Sequence, residues 1–424
     1  MRFTSSIIPL ALALGSGGLQ AQSPSAAEAL NDVRFLADDR LQGRMTGSPG
    51  ADTAAAYMAR RFAAIGLDST SQGWFQVFTV SPDAPAAAHT RIGGVVGRNV
   101  IAVLRGKDKT LRNQVIVVGA HYDHLGLGGF GALDPDSTGQ VHNGADDNAS
   151  GTAALLQIAE MLKSKRPARS VVFIAFSGEE LGLLGSEYYV KNPRFPLDST
   201  VAMVNLDMVG RLRNERLLVY GVATATEFPA LIDSLNLAAG FDLKAKGDGY
   251  GPSDQSSFYA AGRPVLFLFT DLHEDYHRST DDWQKINADG LEQVSRFAAG
   301  IVTALGNRRA PLTFVNLPPP VASSGPAATP GYGAYLGTIP DMTDNPGGVR
   351  LTGVRAGSPA EQAGIKANDI IIQIGDAKIP DLQAMSDALR SHQPGDVVEI
   401  LIIRDGETQH LRATLGKRGG GGNG

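Results

Sequence analysis

Four short apolar runs, at residues 115–120, 171–176, 201–206 and 265–270, are each followed closely by a side chain able to bind a metal or move a proton. The followers are His121 with Asp123, Glu179-Glu180, Asp207 and His277. Runs of this length, bounded by turn residues, read as strands buried on both faces, as in a parallel sheet. Helical periodicity separates them, so residues 149–305 alternate helix and strand. That order predicts an α/β fold: a doubly wound, mostly parallel sheet with flanking helices. In such a sheet ligands bind outside the carboxyl ends of the strands. A fifth cluster, Asp146-Asp147, stands on a loop before a helix.

The residue types narrow the chemistry. Imidazoles and carboxylates without a single cysteine in the chain suit hydrolytic zinc better than structural zinc. Two divalent ions about 3.5–4 Å apart share a water, lower its pKa and stabilise a tetrahedral transition state. The site then needs a bridging carboxylate, a histidine and a further carboxylate for each ion, and a free carboxylate as base. Adjacent carboxylates in Glu179-Glu180 repel each other and welcome a cation; one can bind metal while the other serves as general base. Asp123, two residues past His121, is placed to hold that imidazole from behind. Blander readings exist for each cluster. Asp146-Asp147-Asn148 resembles a helix cap, and Glu179-Glu180 a solvated first turn. His121 could be a core histidine and His277 a surface one, while His124, His142 and His273 are further candidate ligands. Joint occurrence at strand ends favours a two-metal hydrolase.

Taken together, Gly119-Ala120-His121-Tyr122-Asp123-His124, residues 144–151, Ser177-Gly178-Glu179-Glu180, Asn205-Leu206-Asp207-Met208 and the segment around His277 resemble the signature of the co-catalytic two-zinc aminopeptidases. That family also contains glutamate carboxypeptidase-like enzymes and, more distantly, the glutaminyl cyclases. The resemblance runs over roughly residues 28–305. It implies two Zn2+ per chain: one on His121 and Asp207, the other on Glu180 and His277, with Asp147 bridging. It makes Glu179 the general base, implies a cis peptide between Asp147 and Asn148, and likens Tyr250 to a tyrosine that hydrogen-bonds the oxyanion. The implied activity is that of a zinc-dependent exopeptidase, an aminopeptidase, hydrolysing peptide bonds through a metal-bridging water.

The rest of the chain sets the context. Its 424 residues exceed a single domain, and a net charge of −5 with no basic cluster gives nucleic acid no purchase. Residues 1–21 carry Arg2, an apolar stretch and then small residues, the pattern of a signal peptide. With no cysteine behind it a lipid anchor is not expected, and no later run reaches membrane length. The expectation is an exported protein, periplasmic or secreted. The peptidase domain is assigned to 22–305, opening with helices and turning to strands from about Gln76. A Pro/Ala/Gly-rich linker follows at 306–330 and a Gly-rich, disordered tail at 418–424. Residues 331–417 resemble a PDZ domain of the bacterial exported type, of mainly β structure. That likeness implies capture of an extended peptide or protein C-terminus by strand addition, with backbone amides of Tyr335–Gly337 receiving the carboxylate; a module that only braces the peptidase is the alternative. Two rival functions remain open from sequence: a glutaminyl cyclase, and a non-catalytic receptor or scaffold.

Overall fold

The computed structural model describes residues 25–82, 93–129, 131–134, 137–251, 253–317, 334–340, 347–354, 357–380, 384–385, 388–389 and 391–416. The expected signal peptide, residues 318–330 of the expected linker and the Gly-rich tail lie outside them. The chain opens with helices α1 (Ala26–Leu36) and α2 (Pro49–Ile65). Local chemistry sets their ends. Ser25 and Glu28 form a capping box on α1. Ser48 caps α2, Pro49 occupies its first turn, and Gly66 stops it at φ 83°. On α2 the residues Ala54, Ala55, Met58 and Phe62 recur at helical spacing and are all buried.

Then come β1 (Asp68–Ser69), β2 (Phe75–Thr79), β3 (Val96–Leu104), β4 (Val115–His121), α3 (Gly151–Ser164), β5 (Ser170–Phe176) and α4 (Leu184–Lys191). They are followed by β6 (Thr200–Leu206), β7 (Arg216–Tyr220), α5 (Phe228–Ala239), β8 (Asp242–Ala245), α6 (Gln255–Ala260), β9 (Val265–Phe269) and α7 (Ala288–Asn307). One nine-stranded sheet results, in the order β1-β3-β5-β4-β6-β9-β7-β8, with β2 also paired to β3. Its centre, β5-β4-β6-β9, is parallel. The strands β3 and β7 join that centre antiparallel, so the sheet as a whole is mixed.

Alternation sorts the centre into two cores. Ile116, Val118 and Ala120 of β4 and Phe173 and Ala175 of β5 pack with α1, α2, α3 and α7. The intervening Val115, Val117, Val172, Ile174 and Phe176 face Tyr189 of α4 and Phe258 and Tyr259 of α6. With both faces covered, every residue of β4 and β5 is buried, which is why these strands read as unbroken apolar runs. The parallel centre brings the polar clusters together: His121 ends β4, Glu179-Glu180 follow β5, Asp207 follows β6, and His277 lies in the loop after β9.

The C-terminal unit has its own sheet and core. Its elements are β10 (Thr338–Pro340), β11 (Val349–Val354), α8 (Pro359–Gln362), β12 (Ile370–Ile374), β13 (Ala377–Lys378), β14 (Val397–Arg404) and β15 (Glu407–Thr414). The order is β10-β11-β12-β14-β15, with β13 on β12. Leu336, Leu351, Ile371, Ile374, Ile400 and Ile402 fill its interior. Tyr335 and Gly416 exchange two backbone hydrogen bonds of 2.8 Å, which close the unit at its ends. The Tyr335 amide is thereby used internally, so the expected carboxylate receptor narrows to the rest of that loop. Among the described residues, no helix is long and apolar enough to cross a membrane.

The expected linker differs at its start. Residues 308–317 run along the catalytic domain instead of leaving it. Thr226 N donates to Thr313 O (3.1 Å) and Val315 N to Thr224 O (2.9 Å). Leu317 N donates to the Tyr259 hydroxyl (2.6 Å). Leu312 packs on the larger core, and Phe314 and Leu317 on the smaller. Prolines nearby disguise three apolar anchors. A chain ended at Leu317 should therefore be more stable than one ended at Ala310, by about 2–4 kcal/mol for the lost anchors and hydrogen bonds. Thermal unfolding of the two metal-free proteins measures this, and coincident transitions would return the linker start to residue 306.

Candidate metal centre

Asp147 lies at the centre of the site with its two oxygens turned in different directions. Its Oδ1 is 3.4 Å from His121 Nε2, and its Oδ2 is 3.1 Å from His277 Nε2. On the first side Asp207 Oδ1 stands 3.3 Å from the same His121 nitrogen. On the second, Glu180 Oε2 is 3.3 Å from His277 Nε2. Tetrahedral zinc with bonds of about 2.0–2.1 Å puts neighbouring donors roughly 3.3–3.4 Å apart. The spacing fits two ions sharing Asp147. Two further observations agree: among the described residues His121 Nε2 and Asp207 Oδ1 are buried and without a hydrogen-bond partner, and His121, Asp147 and Asp207 converge as a group that could hold a metal ion.

The supporting bonds aim each ligand. Thr152 Oγ1 donates to the carbonyl of His121 (2.7 Å). The imidazole Nδ1 of His121 lies 3.2 Å from the Asp123 carbonyl and 3.8 Å from its carboxylate. The Asp123 carboxylate is occupied elsewhere, accepting from Thr46 Oγ1 (3.0 Å) and the Glu179 amide (3.3 Å). It thus steadies the turn of the expected base more directly than the imidazole. Ser253 Oγ donates to Asp207 Oδ2 (2.7 Å), leaving Oδ1 for the site. His277 sits at φ 55°, a left-handed conformation that non-glycine residues rarely adopt outside functional sites. Its Nδ1 is 2.9 Å from Gly131 O.

The expected cis peptide Asp147-Asn148 is present. Asn148 is also the helix-capping residue of the blander reading: Gly151 N donates to its Oδ1 (2.9 Å), and its Nδ2 donates to Leu206 O (3.0 Å). The cap and the ligand are neighbours, each with its own work.

Charge separates the two glutamates. Burial opposes ionisation of Glu180, but His277 and His124 beside it hold its carboxyl at about 2. For Asp147 burial acts the same way, and the imidazoles of His121 and His277 beside it outweigh it, keeping the group well below the usual range. Glu179 goes the other way: burial, with Glu180, Asp207 and Asp254 nearby, pushes it well above the usual carboxylate range, against the pull of His121. The surroundings of Glu180 favour its anion and those of Glu179 its acid.

The other candidates divide. His124 Nδ1 is 2.7 Å from Glu180 Oε1, against the second half-site and nearer the centre than its sequence pattern implied. His142 pairs with Asp134 Oδ1 (2.8 Å) and His273 with Asp146 Oδ2 (3.1 Å); both hold loops. Tyr250 packs edge-on against Tyr259, with ring centroids 4.8 Å apart, on the smaller core. Tyr220 and Tyr276 line the cavity with Asp147, Glu179, Glu180 and Asp207, and the one beside His277 is Tyr276. Its ring stacks on His277 at 3.9 Å, and burial with those four carboxylates nearby keeps its phenol protonated. Sequence reasoning passed over it, although its place beside His277 was the available signal.

Known proteins resemble this chain in sequence and in fold. Residues 99–302 match the model of Peptidase family M28, and residues 334–415 that of the PDZ domain. Aminopeptidase YwaD of Bacillus subtilis is 31% identical over 229 residues, which are 51% of this chain and 47% of that protein. The chain thus spans about half the length of that relative. A Zn-dependent exopeptidase from Parabacteroides distasonis superposes with a TM-score of 0.55 at 18% identity, covering 66% of this chain and 99% of the other. Porphyromonas gingivalis glutaminyl cyclase does so at 0.53 and 19%, covering 66% and 97%. These two likenesses speak to the fold. On these matches, residues 99–302 form a Peptidase family M28 domain, with a PDZ domain behind it at residues 334–415.

Proposed function

We propose that the protein is a zinc-dependent aminopeptidase, exported from the cell, that removes N-terminal residues from peptides. The observation that carries this is Asp147, whose two oxygens each face a complete histidine–carboxylate half-site. Two zinc ions, when bound, would polarise the scissile carbonyl and lower the pKa of the attacking water. Glu179 takes the proton of that water as the new C–O bond forms, and returns it to the amine nitrogen as the C–N bond breaks. Tyr276 offers its hydroxyl to the oxygen that gains charge. A cavity of about 460 Å³ opens beside these groups, walled by Met208, Tyr220, Phe267, Phe269 and Leu272. Tyr220 stacks on Phe267 at 5.3 Å and Phe267 on Phe269 at 5.8 Å. Such a wall takes a large apolar side chain, and the adjoining carboxylates attract a free α-amine.

Export rests on the N-terminal residue pattern. The PDZ unit serves as a peptide-capture module, because β10 pairs with β11 and, among the described residues, has no strand on its other edge. The likeness to a glutaminyl cyclase bears on the fold, and two complete half-sites favour hydrolysis.

The purified protein should hold close to two zinc ions and lose activity reversibly on chelation. From a peptide beginning with glutamine it should release free glutamine, where a cyclase would expel ammonia. Glu179→Gln should leave the zinc content unchanged and lower kcat by about 10²–10⁴-fold, while Glu180→Gln should lose zinc. Full activity without metal, or equal zinc loss in both variants, would overturn the assignment.

The tyrosines make a separate pair. Removing the Tyr276 hydroxyl by Tyr276→Phe should lower kcat roughly 100-fold with zinc retained. Tyr250→Phe should stay near the wild-type rate. The reverse order would restore Tyr250 to the oxyanion.

A chain ended at Leu317 should cleave a short chromogenic substrate at nearly the full-length rate and long peptides less efficiently, since a second tethered contact raises local concentration. Equal loss on both substrates would make the PDZ unit a brace.

A further inference from the structure

The loop that carries Asp147 is held by two buried side chains that are not themselves ligands. Arg44 is fully buried, and every hydrogen bond of its guanidinium ends on a backbone carbonyl. Nη1 donates to Asn143 O (2.6 Å) and Leu36 O (2.6 Å), Nη2 to Gly144 O (3.0 Å), and Nε to Tyr122 O (2.8 Å). Asp281, also fully buried, holds the next peptides by their amides. Its backbone carbonyl accepts from Ala145 N (2.9 Å). Its single carboxylate oxygen Oδ2 accepts from both Asp146 N (2.9 Å) and Asp147 N (3.0 Å). From residue 143 to residue 147, each peptide is tied to one of the two.

The loop has little room to adjust by itself. Gly144 sits at φ 54°, and a Cβ there would lie 2.1 Å from the Asp147 carbonyl. The same two residues reach the other ligand segments: Tyr122 follows His121, and Asp281 stands four residues past His277. We propose that Arg44 and Asp281 are positioning residues that act through the backbone of Asp147 to set its carboxylate between the two metal sites.

This rests on the reading of Asp147 as a bridge. Because both amides converge on one oxygen, asparagine at 281 keeps an acceptor for them and alanine keeps none. Zinc affinity of the full-length protein, measured by competition with a chromophoric chelator, distinguishes the variants. Asp281→Ala should weaken both ions about 10–100-fold, as loss of a ligand-orienting partner does, and Asp281→Asn should stay within about threefold of wild type. A merely structural role would lower the unfolding temperature of the metal-free protein in both variants without separating them in zinc affinity. Two ions bound by Asp281→Ala as tightly as by the wild type, or weakening of one ion alone, would overturn the clamp. Should Asp281→Ala fail to fold, Arg44→Lys decides by the same reading, since an ammonium keeps the charge but cannot span four carbonyls. A wild-type protein holding fewer than two ions would instead remove the bridge.

Discussion

Three carboxylate oxygens, from Asp147, Asp207 and Glu179, lie within 4 Å of a single nitrogen of His121, in an interior that would ordinarily exclude them. Charges so placed cost several kcal/mol each unless compensated, and much of the surrounding architecture serves that compensation. Asp207 has one oxygen tied to Ser253 and the other turned inward. Asp123 spends its carboxylate on Thr46 and the Glu179 amide. His277 is kept in a left-handed backbone conformation. Divalent cations complete the balance, and their coordination is the natural reason for so much buried negative charge.

Identical residue types acquire opposite behaviour here through placement alone. Glu179 and Glu180 are adjacent in a turn that Gly178 opens at φ 79°, yet Glu180 has the two imidazoles of His124 and His277 beside it, while Glu179 has only His121 against several carboxylates. The first surroundings favour the anion and the second favour the acid. Neither side chain needs special chemistry; the turn divides them.

The strands and the polar clusters that converge at their ends were legible in the sequence because both leave periodic or compositional traces. An unbroken apolar run such as residues 171–176 has few places to go except the middle of a sheet, and a carboxylate or histidine right after it has few places except its end. The cis peptide and the helix cap were legible from one motif, read in two ways. Tyr250 was likened to an oxyanion donor, yet a glycine-flanked loop sets no direction for its side chain, and in the fold its ring packs on Tyr259. The linker start was misplaced because composition weighs prolines over three spaced apolar residues. Arg44 and Asp281 left no trace: they act through backbone atoms, which every residue possesses, so no local pattern marks their targets.

Arg44 reaches Gly144 across 100 residues of chain, and Asp281 reaches Asp146 across 135. The centre therefore has no autonomous fragment. During synthesis the ribosome must release nearly the whole peptidase domain before the first segment can meet the last, and closure over such distances comes late in folding. In a nascent chain of this protein the centre therefore stays incomplete for most of elongation, and topology is what keeps it so.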